Sequence, residues 1–225
     1  MTVADQLLVS SVNGGGLFLV GPGGVERWSK VDTAGVTLVP DGALLARQAE
    51  GVAELRWLRG RDVVRVTLVE RSLDLHDVRW HDGRIHVVAT QLNTVYEFDP
   101  GFRELRHWAF PGEEDSQHVN STCLHDGRLL ATRFGRFHAH RGYKGATRGA
   151  GEVFDVETGE VLVSGLSQPH SLASHGGALW LCDSEARVLR RYRGFQPDGE
   201  FPFEGYVRGL AFAGGLAYVG LSRSR

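Results

Sequence analysis

Cysteine is scarce in this chain of 225 residues, with only Cys123 and Cys182. Each lies inside an apolar run, Thr122-Cys123-Leu124 and Leu181-Cys182-Asp183, so no disulfide framework exists and both read as buried free thiols. An 18-residue apolar stretch is missing, as is a charged start followed by an apolar run. A membrane span and a secretory leader are therefore not expected, and a cytoplasmic location follows. Excess charge is missing too: 25 Lys and Arg face 27 Asp and Glu, for a net charge of −2. That balance gives no electrostatic reason to expect nucleic acid or an acidic membrane surface as partner. Helical periodicity does not interrupt the chain, and the Gly-rich runs Gly14-Gly15-Gly16 and Gly21-Pro22-Gly23-Gly24 lack any phosphate-loop context, so a dinucleotide-binding fold is excluded.

What the chain does have is glycine, 30 residues of it, recurring beside Asp, Pro or another Gly between short apolar runs. One phrase repeats. A histidine precedes a short strand, a Gly turn follows, and then a second strand, at His76 with Gly83, His118 with Gly127 and His170 with Gly177. The histidine-to-glycine spacings are 7, 9 and 7 residues. Units starting at Gly35, His76, His118, His170 and Arg208 lie 41, 42, 52 and 38 residues apart. A four-stranded repeat of that period predicts an all-β chain, a β-propeller of four-stranded antiparallel blades, over a β-sandwich. The expectation is one domain spanning residues 1–225, with five or six blades. The N-terminal end supplies the second, third and fourth strands of a blade, and the C-terminal end a first and a second. Either residues 208–221 complete the blade begun at residue 6, or the ring is incomplete at its C-terminus. An edge left open would be covered by a second copy or another partner.

Several phrases carry a family resemblance. They are Ser11-Val12-Asn13-Gly14-Gly15-Gly16-Leu17-Phe18-Leu19-Val20-Gly21, Leu73-Asp74-Leu75-His76-Asp77, Glu114-Asp115-Ser116-Gln117-His118-Val119-Asn120, Gly165-Leu166-Ser167-Gln168-Pro169-His170-Ser171, and Arg208-Gly209-Leu210-Ala211-Phe212 through Val219-Gly220-Leu221-Ser222. In this order they resemble a bacterial family of propeller-like proteins, DUF4915. The resemblance implies a propeller and brings no established reaction with it.

In a propeller the first strand of every blade lines the central channel, so equivalent strand starts converge there. His76, His118 and His170 are expected at that position in three consecutive blades, with Arg208 in the next. Three imidazoles on one arc are the ligand set of a catalytic divalent transition metal, zinc first, with iron, copper and manganese also suited to imidazole. Asp77 and Glu114, beside these histidines, are candidate acid–base groups together with Arg208, and Asp74 and Asp115 could orient the rings. Asn120 and Ser171 offer neutral hydrogen bonds to a substrate.

The excursion from Phe134 to Ala150 holds a basic-aromatic cluster. Arg133, Arg136, His138, His140, Arg141, Lys144 and Arg148 alternate with Phe134, Phe137 and Tyr143. It reads first as a solvated, flexible loop; the functional alternative is that it folds over a channel mouth and holds an anionic substrate group through Arg141 and Lys144. His81, His125 and His175, in the turn before each second strand, are expected to be solvated.

Two functions remain open. One is a metal-dependent lyase or hydrolase acting on a small molecule or peptide. The other is a non-catalytic propeller that binds a small molecule or a protein, its histidines structural.

Overall fold

The computed structural model describes residues 6–12, 14–49, 51–69 and 73–222; Asn13 of the first Gly-rich turn lies outside them. The chain divides into two compact units, residues 2–107 and 108–225.

In the first unit β1 (Leu7–Ser11), β2 (Gly16–Gly21) and β3 (Gly24–Ser29) form a three-stranded sheet. A four-stranded sheet follows in chain order, β4 (Thr33–Val39), β5 (Gly42–Ala49), β6 (Val52–Arg59) and β7 (Asp62–Val69). The next is β8 (Leu75–His81), β9 (Arg84–Ala89), β10 (Thr94–Phe98) and β11 (Glu104–Ala109), the unit boundary falling inside β11. The second unit carries β12 (Ser121–His125), β13 (Arg128–Arg133), β14 (Gly151–Asp155) and β15 (Val161–Leu166) as one sheet. Another is β16 (Pro169–His175), β17 (Ala178–Asp183), β18 (Val188–Arg193) and β19 (Gln196–Pro202), and β20 (Tyr206–Ala213) pairs with β21 (Leu216–Ser222). The fold is the expected β-propeller of antiparallel four-stranded blades. The 21 described strands amount to five such blades and one strand over.

Turn chemistry fixes the register of the blades. Asp82-Gly83, Asp126-Gly127, Gly176-Gly177 and Gly214-Gly215 each occupy a two-residue hairpin loop, with φ between 48° and 78° at both positions. Two consecutive left-handed residues make a type I′ turn, whose twist matches the strands it joins. The middle strands then bury both faces, so they read as continuous apolar runs and not as alternating ones. Ile85 to Ala89 on β9, and Leu179, Leu181 and Cys182 on β17, are buried throughout. In the first unit Leu44, Leu55, Trp57, Leu75, Val78 and Ile85 lie in one core cluster. In the second, Leu130, Val153, Leu166, Leu172, Leu179 and Leu181 do the same, each leucine contributing about 1.5–3 kcal/mol on full burial. Sheets approach closely at Gly35, where a Cβ would stand 2.6 Å from the Val78 nitrogen, so only glycine fits.

Both cysteines are free and buried, as expected, and burial pushes the Cys182 thiol up to about 12. The expectation of solvated turn histidines fails at two of the three positions. His125 is 2% exposed because its hairpin end packs on the next blade, where Nδ1 shares a hydrogen bond with Ser174 Oγ at 2.8 Å and the ring meets Phe195 edge-on. His81 is half-buried beside His86, the ring centroids 5.6 Å apart. His175 is exposed, stacked flat on Phe212. Among the described residues no helix is long and apolar enough to cross a membrane.

Candidate functional site

The hairpins give an independent ruler for the repeat. Aligned on their turns, His81, His125, His175 and Ala213 occupy one position, each the last residue before the loop. Five residues earlier stand His76, Asn120, His170 and Arg208. His118 therefore does not share the position of His76 and His170; Asn120 does, and His118 lies two residues ahead of it. The spacing of 9 where the other two copies have 7 is this offset.

One local device marks the shared position. His76 Nδ1 donates to the Asp74 carbonyl at 3.1 Å, Asn120 Nδ2 to the His118 carbonyl at 3.0 Å and His170 Nδ1 to the Gln168 carbonyl at 2.9 Å. The accepting residue is left-handed each time, with φ of 47° at Asp74, 49° at His118 and 55° at Gln168. A non-glycine residue pays for that conformation, and the hydrogen bond from two residues on offsets part of the cost. Histidine and asparagine serve alike here because each presents an N–H at the same reach.

In the second unit His118 and two residues of the excursion meet at Asp115. Its carboxylate is 1% exposed and accepts three hydrogen bonds, from His118 Nδ1 at 2.7 Å, Arg141 Nε at 2.7 Å and the Tyr143 hydroxyl at 2.8 Å. Burial pushes this carboxyl upward, but His118, Arg141 and Tyr143 together pull it further down, so it ends below the usual carboxylate range and is ionised. The His118 ring lies 4.2 Å from Phe134 and 4.9 Å from Tyr143, centroid to centroid, and Phe134 continues to His170 at 5.2 Å. Phe134 thus stands between the two histidines, each 4% exposed. His170 shares its Nδ1–H between the Gln168 carbonyl and Ser184 Oγ, and the Ser184 hydroxyl donates to the Val207 carbonyl. Among the described residues no group of three or more His, Cys, Asp and Glu side chains is arranged to hold a metal ion.

The excursion is anchored at both ends. Toward residues 111–118, the Glu113 nitrogen donates to the His138 carbonyl, the His140 nitrogen to Glu113 Oε2 and His140 Nδ1 to the Glu114 carbonyl, all at 2.7 Å. Toward β16, Gln168 Nε2 reaches Thr147 Oγ1 at 3.0 Å, Thr147 reaches Glu185 at 2.7 Å and the Gly149 nitrogen reaches Ser167 Oγ at 3.0 Å. Tyr206 closes the chain on Gln168 Oε1 at 2.7 Å. The excursion is thus tied down by hydrogen bonds on both sides, while most of its residues, Arg136, His138, His140, Lys144 and Arg148 among them, face water as a solvated loop would. Two of the three aromatics of its cluster, Phe134 and Tyr143, are core residues while Phe137 is half-buried; Arg133 is buried too, held by Glu152 and Gln117 and lying 4.2 Å over Phe154.

The remaining predicted residues scatter. Asp77 is buried on β8 and accepts from Arg79 Nε at 3.0 Å; Glu114 and Lys144 are exposed, and Arg208 is half-buried on β20. Ser171 accepts a hydrogen bond from the Gly209 nitrogen at 2.8 Å, a framework contact between β16 and β20. Arg141 is 45% exposed although its Nε is engaged by Asp115.

Four-stranded antiparallel blades, three of them entered through a bonded His or Asn five positions before the last residue of a type I′ hairpin's first strand, define a β-propeller protein. The chain belongs to the family described as Domain of unknown function (DUF4915), whose model matches residues 60–225. Its fold is similar to that of a protein of unknown function from Bacteroides caccae, with TM-score 0.58 and 15% identity over 87% of this chain and 78% of that one. It is also similar to virginiamycin B lyase from Staphylococcus aureus, with TM-score 0.63 and 13% identity over 97% of this chain and 75% of that one. A chain of a nidogen/laminin complex has TM-score 0.71 and 12% identity over 96% of this chain and 85% of that one. At such identities the likeness shows the fold alone. No curated protein matches the chain.

Proposed function

We propose that the chain is a non-catalytic binding propeller of the cytoplasm, in which His118 and His170 belong to the framework and the basic outer side of residues 136–148 takes an anionic group of a small molecule or protein. The observation that carries this reading is the Phe134 ring lodged between the two imidazoles at 4.2 and 5.2 Å. An aromatic ring there fills the space in which a shared ligand of His118 and His170 would sit. The exposed Arg136, His138, Lys144 and Arg148, with the partly exposed Arg141, leave the cationic side of the excursion facing water. The two free buried thiols suit a reducing compartment.

A second reading is the metal-dependent lyase or hydrolase, zinc first, with Asp77, Glu114 and Arg208 as acid–base or electrostatic groups. One observation favours it. His76, His118 and His170 all commit Nδ1 to an acceptor, Asp74 O, Asp115 Oδ1 and Gln168 O, which fixes the tautomer whose lone pair is on Nε2. Metal-ligating histidines are commonly oriented this way.

One experiment separates the two. Purified chain is incubated with zinc, iron(II), manganese or copper, dialysed, and its metal content measured beside His118→Ala and His170→Ala. The binding reading expects no stoichiometric metal and no difference among the three proteins. One metal per chain, lost in both variants, would overturn it in favour of the enzyme.

A further inference from the structure

We infer that Arg47 and Arg56, on one face of the sheet β4–β7, form a binding site for an oxyanion, a carboxylate or phosphate group carried by a small molecule. Directly paired residues share a face. Pairing sets Thr33, Arg47, Glu54 and Leu68 in one row, and Val36, Leu45, Arg56 and Val66 in the next. Glu54 is the one acid of the two rows, and both guanidiniums turn to the same oxygen of it. Arg56 Nε donates to Glu54 Oε2 at 2.6 Å, and Arg47 Nη1 lies 3.3 Å from that atom. The trio therefore carries one positive charge in excess. It runs from water inward, the side chains of Arg56, Glu54 and Arg47 being 30%, 14% and 5% exposed.

The excess falls on the deepest member. Arg47 Nε is buried and has no hydrogen-bond partner among the described residues. Burial first, then the charge of Arg56, lowers the Arg47 pKa against the pull of Glu54, yet a guanidinium keeps its proton in proteins. A buried charge short of partners is destabilising. Other arginines of the chain show how such a charge is held. Arg133, equally buried, has Nε and Nη2 on Glu152 and Nη1 on Gln117. Arg128 holds both Asp155 and Glu160, and Arg190 both Asp183 and Glu200. At Arg47 the ratio is inverted, two guanidiniums to one carboxylate. An oxyanion entering beside Arg56 accepts from the Arg47 edge that carries Nε and neutralises the trio. Guanidinium edges match the oxygens of carboxylate and phosphate alike.

Calorimetric titration of the whole chain at low salt, with inorganic phosphate and separately with acetate, should show saturable binding of at least one of them. Which of the two binds more tightly tells a phosphate carrier from a carboxylate carrier. Arg56→Ala, at the exposed end of the trio, should weaken that binding about tenfold or more, the worth of a charged hydrogen bond. Glu54→Gln removes the internal competitor and should tighten it, a gain that loss of a merely structural ion pair would not give. Arg59→Ala, which removes an exposed charge held by Asp41 on the same strand, should leave the affinity unchanged. Circular dichroism checks the sheet of each variant, and Arg56→Ala decides alone if Glu54→Gln does not fold. A chain that binds neither anion would overturn the inference. So would binding that Arg56→Ala leaves intact, since the anion would then sit elsewhere, as on residues 136–148.

Discussion

Acidification should weaken this protein well above the carboxylate range, and His81 is the reason. Its ring ends β8 against the His86 ring, and its Nε2 is buried without a hydrogen-bond partner. Burial first, then the charges of His86 and Arg79, lower its pKa from 6.5 to about 4. Above the unfolded value the ring is neutral in both states and native stability is complete. As pH falls from 6.5 toward 4, the unfolded chain takes up a proton that the native site refuses, so stability is lost across that window and no further below it. At about 1.4 kcal/mol per pH unit the loss is about 3 kcal/mol. His86 is lowered in the same direction, by burial that outweighs the pull of Glu97, and adds to the loss. Trp57 and Trp80, edge-to-face at 5.5 Å in the same core, report unfolding of this region by fluorescence. Urea titrations at about pH 7 and about pH 4 should show His81→Leu losing about 3 kcal/mol less than wild type between the two conditions. Equal losses in wild type and variant would refute the argument, since the proton would then be taken up elsewhere.

Two further outcomes follow from the second unit. Asp115→Ala removes the acceptor of His118, Arg141 and Tyr143 together, so denaturant unfolding should show a loss of about 3–5 kcal/mol, and limited proteolysis should now cut within residues 136–148. Cys182, with its thiol held near 12 by burial, and Cys123, 3% exposed, should both resist a thiol reagent in native protein at mildly alkaline pH and react once the chain is unfolded.

The blades were legible in the sequence because their signals are local. A Gly-containing loop with two left-handed residues dictates a hairpin whatever surrounds it, and four such loops at one repeat position imply one sheet type. The candidate site was legible only in part, because spacing counts residues while strand pairing decides equivalence. His118 matched the repeat by residue type and missed it by two positions. The strand starts at Ser121, and Asn120 already makes the hydrogen bond that His76 and His170 make in their copies. A spacing of 9 against 7 was the visible sign of that offset. The excursion was legible only in part for a related reason. Arginines interleaved with aromatics compose a polar loop by count, and most of it does face water, yet Phe134 and Tyr143 are buried, Tyr143 with its hydroxyl on Asp115, a residue far back in sequence that also engages the otherwise exposed Arg141. Asp115 has one job that the sequence could not reveal: it is the buried charge that the folded excursion neutralises. Its three donors come from two separate segments, so the excursion closes over His118 as part of folding.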